Sequence, residues 1–193
     1  ARATVSRKWS ARKACRRTEK KTDLSQNRSF PTGIVLSEPL YFEEYGEPGN
    51  PVVIFLHGLL GSSRNWRSIA KTLAPNYHLY ALDLPEHGAS PHSTRTDLKI
   101  MSLQIGQWIE QNLSEPYVLC GHSLGGKVAM AHACSAPDHL RGLVVVDIAP
   151  RDYPPEHHLP TLDALLGLEL SGLKSRKQAD DLLIEKIPNW AFR

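Results

Sequence analysis

Short apolar runs alternate with longer segments of helical period along most of this chain. The apolar runs are continuous, as in strands buried on both faces, and they lie at 52–57, 77–82, 117–120 and 143–146, after a weakly alternating strand at 40–45. Apolar residues of helical period predict helices at about 63–73, 97–113 and 124–136. Strands that alternate with helices predict an α/β fold, with a mostly parallel sheet and helices on both faces.

The pattern changes after Pro150. Tyr153-Pro154-Pro155 breaks the alternation, and two leucine-rich segments, 159–173 and 179–187, have helical period. We therefore treat 31–150 and 151–193 as separate parts of the chain.

The net charge of +3 is unevenly distributed. Residues 1–30 hold ten Lys or Arg against two acidic residues, whereas the remainder is mildly acidic. Few large apolar residues and no clear period predict that 1–30 is a disordered extension. A mitochondrial targeting segment and a nucleic-acid-binding arm are the alternatives. Since the sequence has no long apolar run, we expect a cytoplasmic protein without a membrane span.

The segment Gly121-His122-Ser123-Leu124-Gly125 carries the clearest chemical signal. It joins an apolar run to a small-residue helical segment, so its serine is predicted to lie on a tight corner between a strand and a helix. A serine there has an exposed hydroxyl, and the glycines let the helix pack closely on the strand. Because Leu124 would open the helix, its N–H is predicted to point outward, where it can bind an oxyanion.

Gly121–Lys127 is one of four blocks that resemble a known family when they are taken together. The others are His57–Ser62, Asp83–Ser90 and Val144–Pro150. The blocks resemble the α/β-hydrolase family from Leu40 to the chain end. Gly121–Lys127 and Val144–Pro150, with Tyr153, resemble its YbfF-like esterase/thioesterase group. That group usually has Arg-Asn at Pro85-Glu86, and the block here is more similar to the menaquinone-pathway lyase branch.

The resemblance implies a serine hydrolase that cleaves a small-molecule carboxylic ester or thioester through an acyl-enzyme, with no metal and no organic cofactor. Ser123 would be the nucleophile, and the N–H groups of Leu59 and Leu124 would form the oxyanion hole. Residues 31–150 would be the N-terminal part of the hydrolase core. Residues 151–193 would be a truncated helical lid region, unless their leucines simply pack on the core.

The resemblance of Val-Asp-Ile-Ala-Pro implies that Asp147 is the acid that orients the catalytic base. Its alternative role is structural, as an acceptor for N–H groups of the turn after the strand. The family places the catalytic histidine after the last strand, and no histidine follows His158. We therefore expect the base to lie beyond Arg193, the fold to be incomplete at the C-terminus, and this chain to be a poor catalyst by itself.

Four other residues are predicted to lie at the substrate: His57, Gly58, His122 and Trp66. Gly58 would allow close approach, and His57 would brace the oxyanion loop through hydrogen bonds. Strand alternation predicts that His122 points away from the Ser123 hydroxyl and supports the corner rather than transferring a proton. Trp66 would line the pocket or pack in the core.

Two other functions stay open. One is a lyase or C–C hydrolase of the same fold, suggested by Asp83–Gly88. The other is a non-catalytic, hydrolase-like fragment or binding module, suggested by the missing base. A nucleic-acid partner is not expected, and the sequence does not indicate the oligomeric state.

Overall fold

The computed structural model describes residues 39–93, 95–135, 137–154, 156 and 158–188. The basic segment 1–30, with its predicted disorder, lies outside the described residues. The chain divides after Pro150 into two compact units, which are described separately.

Within the described residues of the first unit, five strands form one sheet. They are β1 (Phe42–Tyr45), β2 (Val52–Leu56), β3 (His78–Leu82), β4 (Tyr117–His122) and β5 (Leu140–Val146). Their order across the sheet is β1-β3-β2-β4-β5, in which β2 to β5 run parallel and β1 pairs antiparallel with β3. Because every parallel connection returns through a helix, the carboxyl ends of β2 to β5 all lie at one edge of the sheet.

The helices of this unit lie where the periodicity predicts them, with small changes at their ends. A 3₁₀ turn (Ser63–Trp66) runs directly into α1 (Arg67–Leu73). The second helix, α2 (Leu98–Asn112), begins after Asp97, whose carboxylate accepts the N–H of Ile100 at 2.8 Å and so caps the helix. The third, α3, is Leu124–Cys134.

Alternate strand residues supply two cores on opposite faces of the sheet. One core packs against α2 and α3 and includes Ile54, Leu56, Leu82, Ile105, Trp108, Leu119 and Val128. The other packs against α1 and includes Phe55, Trp66, Ala70, Leu79, Ala81 and Cys120. Each fully buried Leu, Ile, Val or Phe side chain in these cores contributes about 1.5–3 kcal/mol to stability. The predicted α/β fold with helices on both faces is thereby confirmed.

The strand β5 lies at one side of the described sheet and begins three residues earlier than its apolar run suggests. Its pairing with β4 starts at Tyr117 and Leu140, with an irregularity before Val118. Val144 and Val146 are exposed, unlike the apolar residues of the inner strands.

The second unit contains α4 (Leu159–Leu166), a 3₁₀ turn (Leu170–Gly172) and α5 (Arg176–Leu183). Its small core is formed by Ala164, Leu183 and Ile187. The predicted helix 159–173 is therefore interrupted, since α4 ends before Gly167. The predicted helix 179–187 starts earlier, because the Ser175 hydroxyl accepts the Gln178 N–H at 3.2 Å and caps α5. Within the described ranges, every helix is too short or too polar to cross a bilayer.

Candidate active site

Strained backbone is concentrated at the carboxyl edge of the sheet. Among the described residues, four that are not glycine have a positive φ, and each follows a different parallel strand. They are Leu60 after β2 (58°), Glu86 after β3 (66°), Ser123 after β4 (51°) and Asp147 after β5 (54°). Left-handed backbone costs a non-glycine residue about 1–2 kcal/mol and persists where the surrounding structure imposes it, often at functional sites. This edge is therefore the candidate active site.

Ser123 lies at the corner between β4 and α3, with φ 51° and ψ −114°. Its N–H donates to the Val146 carbonyl at 3.0 Å, which bonds the corner to the end of β5. Its own carbonyl accepts the N–H of Lys127 at 3.1 Å, so Ser123 begins the hydrogen-bonding of α3. Ser123 is thus held between two strands and a helix, with a positive φ that a residue other than glycine rarely adopts.

Two glycines bring the loop after β2 against this corner. The N–H of Gly125 donates to the His57 carbonyl at 3.0 Å, and a Cβ on Gly125 would lie only 2.5 Å from that oxygen. A Cβ on Gly58 would lie 3.4 Å from the Cβ of Ser123. The backbone of the β2 loop therefore lies immediately beside the serine, as the resemblance implies for an oxyanion loop.

The two predicted oxyanion donors are both available. Leu124 is the first residue of α3, where backbone N–H groups have no intrahelical acceptor. Leu59 is exposed in the loop after β2. In the described part of the chain, neither N–H donates to another protein atom. Such free donors, one of them at the positive end of a helix, can bind negative charge that develops beside Ser123.

His57 joins two loops from a buried position. Its Nδ1–H donates to the Gly58 carbonyl at 2.8 Å, and its Nε2 accepts the Leu84 N–H at 2.9 Å. Only 1% of the residue is exposed, and burial lowers the pKa of His57. Because its Nε2 accepts a hydrogen bond, the ring is neutral, and it braces the loops after β2 and β3. Direct contact between His57 and a substrate stays a prediction.

The block Asp83–Ser90 holds its own loop in place. The buried carboxylate of Asp83 accepts the N–H of Ser63 at 2.5 Å and the N–H of Ala89 at 2.8 Å. A Cβ on Gly88, whose φ is 58°, would collide with that carboxylate. Sequence reasoning assigned no role to Asp83, although the pairing of an aspartate at a strand end with a later loop glycine is the relevant signal.

Trp66 lies in the core on the α1 face. Its ring stacks on Phe55 with centroids 4.6 Å apart, and the residue is buried. Of the two positions predicted for Trp66, the core is the one it occupies.

His122 and Asp147 approach each other across the ends of β4 and β5. The Nε2 of His122 lies 3.9 Å from Oδ2 of Asp147, whose side chain is 88% exposed. The Nδ1 of His122 lies 3.0 Å from the Cβ position of Gly58, the same position that Ser123 adjoins. Strand alternation predicts that His122 points away from the Ser123 hydroxyl, and that orientation stays a prediction.

A cleft of about 390 Å³ lies apart from these residues. It is lined by Tyr41, Ser62, Ser63, Arg64, Asp83, Gly88 and Ala89. Neither Ser123 nor Asp147 lines it, so the geometry of the strand ends, rather than this cleft, defines the candidate site.

The chain is similar in sequence to known proteins of one family. Residues 51–177 match the family model described as the alpha/beta hydrolase fold. The chain is 40% identical over 140 residues to the sn-1-specific diacylglycerol lipase ABHD11 of Mus musculus, covering 71% of this chain and 46% of that protein. It is 30% identical over 130 residues to esterase YbfF of Escherichia coli, covering 67% of this chain and 51% of that protein.

A solved structure of a marine microorganism esterase matches with a TM-score of 0.73 and 36% identity, covering 78% of this chain and 59% of that one. The chain spans about half the length of the curated relatives it matches. The resemblance drawn from the four sequence blocks is confirmed. The sheet order of this chain and its family match over residues 51–177 agree with that resemblance. The chain belongs to the alpha/beta hydrolase fold family.

Proposed function

We propose that this protein is a serine hydrolase of small-molecule carboxylic esters or thioesters, with Ser123 as its nucleophile. The observation that carries the proposal is the position of Ser123, on a strained corner beside Gly58 and next to the free N–H of Leu124. The names of similar proteins support esters as the substrate class, since they include a diacylglycerol lipase and esterases.

In the acylation step, the Ser123 oxygen attacks the carbonyl carbon of the ester while a histidine takes the hydroxyl proton. The carbonyl oxygen becomes an oxyanion, which the N–H groups of Leu59 and Leu124 stabilise. Collapse of this intermediate breaks the bond to the alcohol or thiol, which leaves with the proton from the histidine. The acyl group is then bonded to Ser123.

In the deacylation step, the same histidine takes a proton from water, and the resulting nucleophile attacks the acyl-enzyme. The acid is released and Ser123 regains its proton. We assign the histidine to a segment beyond Arg193 and its orientation to Asp147. The exposed carboxylate of Asp147, at the end of β5, has room for such a partner.

A lyase or C–C hydrolase is the weaker candidate. The block Asp83–Gly88 suggests it, but the polar side chains of that block bond to backbone groups: Asp83 to the N–H groups of Ala89 and Ser63, and Glu86 to the N–H of Ser93 at 3.0 Å. His87 likewise bonds the Pro85 carbonyl at 2.9 Å. These contacts indicate that the side chains of the block stabilise the loop rather than act on the substrate.

The test is covalent labelling of the full-length parent with a fluorophosphonate, which reacts with activated serines. Labelling is expected in the parent and is expected to disappear in Ser123→Ala. Ser135→Ala, at the far end of α3, is the matched control and should label normally. If Ser123→Ala still labels, Ser123 is not the nucleophile.

A further inference from the structure

His122 lies between the two loops that contribute to the proposed site. It is the last residue of β4, which has β2 on one side and β5 on the other. On the β2 side, its Nδ1 and Cε1 lie 3.0 and 3.4 Å from the Cβ position of Gly58. On the β5 side, its Nε2 lies 3.9 Å from Oδ2 of Asp147. The ring therefore bridges the oxyanion loop and the acid.

Asp147 lacks any other fixed partner in the described part of the chain. Its backbone is held at φ 54°, yet its side chain is 88% exposed and only His122 approaches the carboxylate. A carboxylate with full rotational freedom loses side-chain entropy whenever it must orient another group. A neighbouring donor that restricts its rotamers reduces that loss.

A hydrogen bond between the two side chains would fix the tautomer of His122. A carboxylate group without its proton only accepts hydrogen bonds, so such a bond requires a proton on the ring nitrogen that faces it. The 3.9 Å separation exceeds hydrogen-bonding distance, and a rotation that brings the two atoms about 1 Å closer completes the bond. The Nδ1 of His122 packs over Gly58, where an added Cβ would lie 3.0 Å away and the ring would have to shift by a few tenths of an ångström.

We propose that His122 is a positioning residue whose Nε2–H holds the Asp147 carboxylate, while its ring rests on Gly58 and couples the acid to the oxyanion loop. The role of Asp147 as an acid rests on the proposed function, whereas the contact between the two side chains does not. His122 acts through Asp147 and does not take the Ser123 proton.

The contact is tested by NMR on the 193-residue chain with ¹⁵N-labelled histidine rings. The His122 resonances are expected to report a ring proton on Nε2 rather than on Nδ1. They are assigned by their loss in His122→Gln. Asp147→Asn should convert this single tautomer into a mixture, and Gly58→Ala should do the same by displacing the ring. A proton on Nδ1, or a tautomer that Asp147→Asn leaves unchanged, would overturn the proposal.

The coupling is tested by a double-mutant cycle on fluorophosphonate labelling of the full-length parent. His122→Ala should slow labelling about tenfold in the wild-type background and have no further effect in Asp147→Asn. His122→Gln, whose amide can still donate, should keep most of the rate, and His139→Gln should keep all of it. Additive losses would overturn the proposal. A parent that does not label at Ser123 instead contradicts the proposed function, and the NMR result then decides the contact alone.

Discussion

The backbone N–H of Gly125 donates to the carbonyl of His57 at 3.0 Å, which bonds the first turn of α3 to the loop after β2. This bond joins the two segments that supply the proposed oxyanion donors. It is possible only because residue 125 has no side chain: a Cβ would lie 2.5 Å from the carbonyl oxygens of both His57 and Leu56.

Gly125→Ala is accordingly expected to lower the free energy of unfolding by about 1–3 kcal/mol, because backbone atoms must move to admit the methyl group. Urea unfolding measures this loss. Gly106→Ala on α2 is the matched control, since its nearest neighbour would lie at 3.5 Å, an ordinary contact. That change should stabilise the helix by about 0.5–1 kcal/mol. Equal effects of the two changes would contradict the close approach.

Asp147→Asn should cut kcat of the full-length parent by roughly 10⁴-fold while the fold persists, because an amide cannot hold the base in its reactive tautomer. Steady-state hydrolysis of a p-nitrophenyl ester gives kcat, and circular dichroism checks the fold. An unchanged kcat in a folded variant would move the acid to a residue outside this chain. Asp138→Asn, remote in sequence from the corner, should leave kcat unchanged.

The 193-residue chain by itself should be a poor esterase. Loss of the base from a serine triad lowers kcat on the order of 10⁶-fold in a protease, which leaves only the contribution of the oxyanion donors. Ester turnover by the chain is measured beside Ser123→Ala. Serine-dependent turnover at ordinary enzyme rates would place a base within these residues and would contradict our assignment of the histidine.

Exposed β5 should promote self-association of the chain. Val144 is 46% exposed on the side strand of the described sheet, and such strands pair readily with other chains. Val144→Lys should raise the concentration at which light scattering appears. Val145→Lys is the contrast, because Val145 lies against Gly126 of α3 and its replacement should destabilise the fold. Unchanged scattering in a folded Val144→Lys chain would show that aggregation starts elsewhere.

Stability should fall below neutral pH because of His132. This buried ring accepts the Tyr117 hydroxyl at Nε2, 2.7 Å away, and bonds the Ser102 backbone. Burial lowers the pKa of His132 to about 4, against about 6.5 in an unfolded chain. As the pH falls, the unfolded chain therefore binds the proton before the folded chain does. The free energy of unfolding decreases by about 3 kcal/mol between about pH 6.5 and pH 4, and this contribution is fully present above about pH 6.5.

Urea unfolding at pH 7 and pH 5 measures this loss. His132→Gln should flatten the pH dependence without abolishing it, since burial also lowers the pKa of His57 and acts in the same direction. If the wild-type chain were equally stable at both pH values, protonation of His132 would not lower the free energy of unfolding, which would contradict this prediction.

The sequence by itself predicted the strands and helices of the first unit, apart from the start of β5, and the corner at Ser123. Continuous apolar runs identify β2 and β3 to within one residue at each end, because parallel strands bury both faces. Gly121 and Gly125 around Ser123 indicate the strand-to-helix corner for a local reason, the close packing of helix on strand. The start of α5 was misplaced because the Ser175 cap, with Gln178 three residues later, was overlooked.

Only the tertiary structure decided how the side chains of the site meet. His57 lies beside Leu84 and Gly125, and His122 lies between Gly58 and Asp147, because β2 stands between β3 and β4 in the sheet. The pattern of apolar residues predicts which segments are strands. It does not distinguish between the possible orders of those strands in the sheet. Contacts between residues far apart in sequence depend on that order.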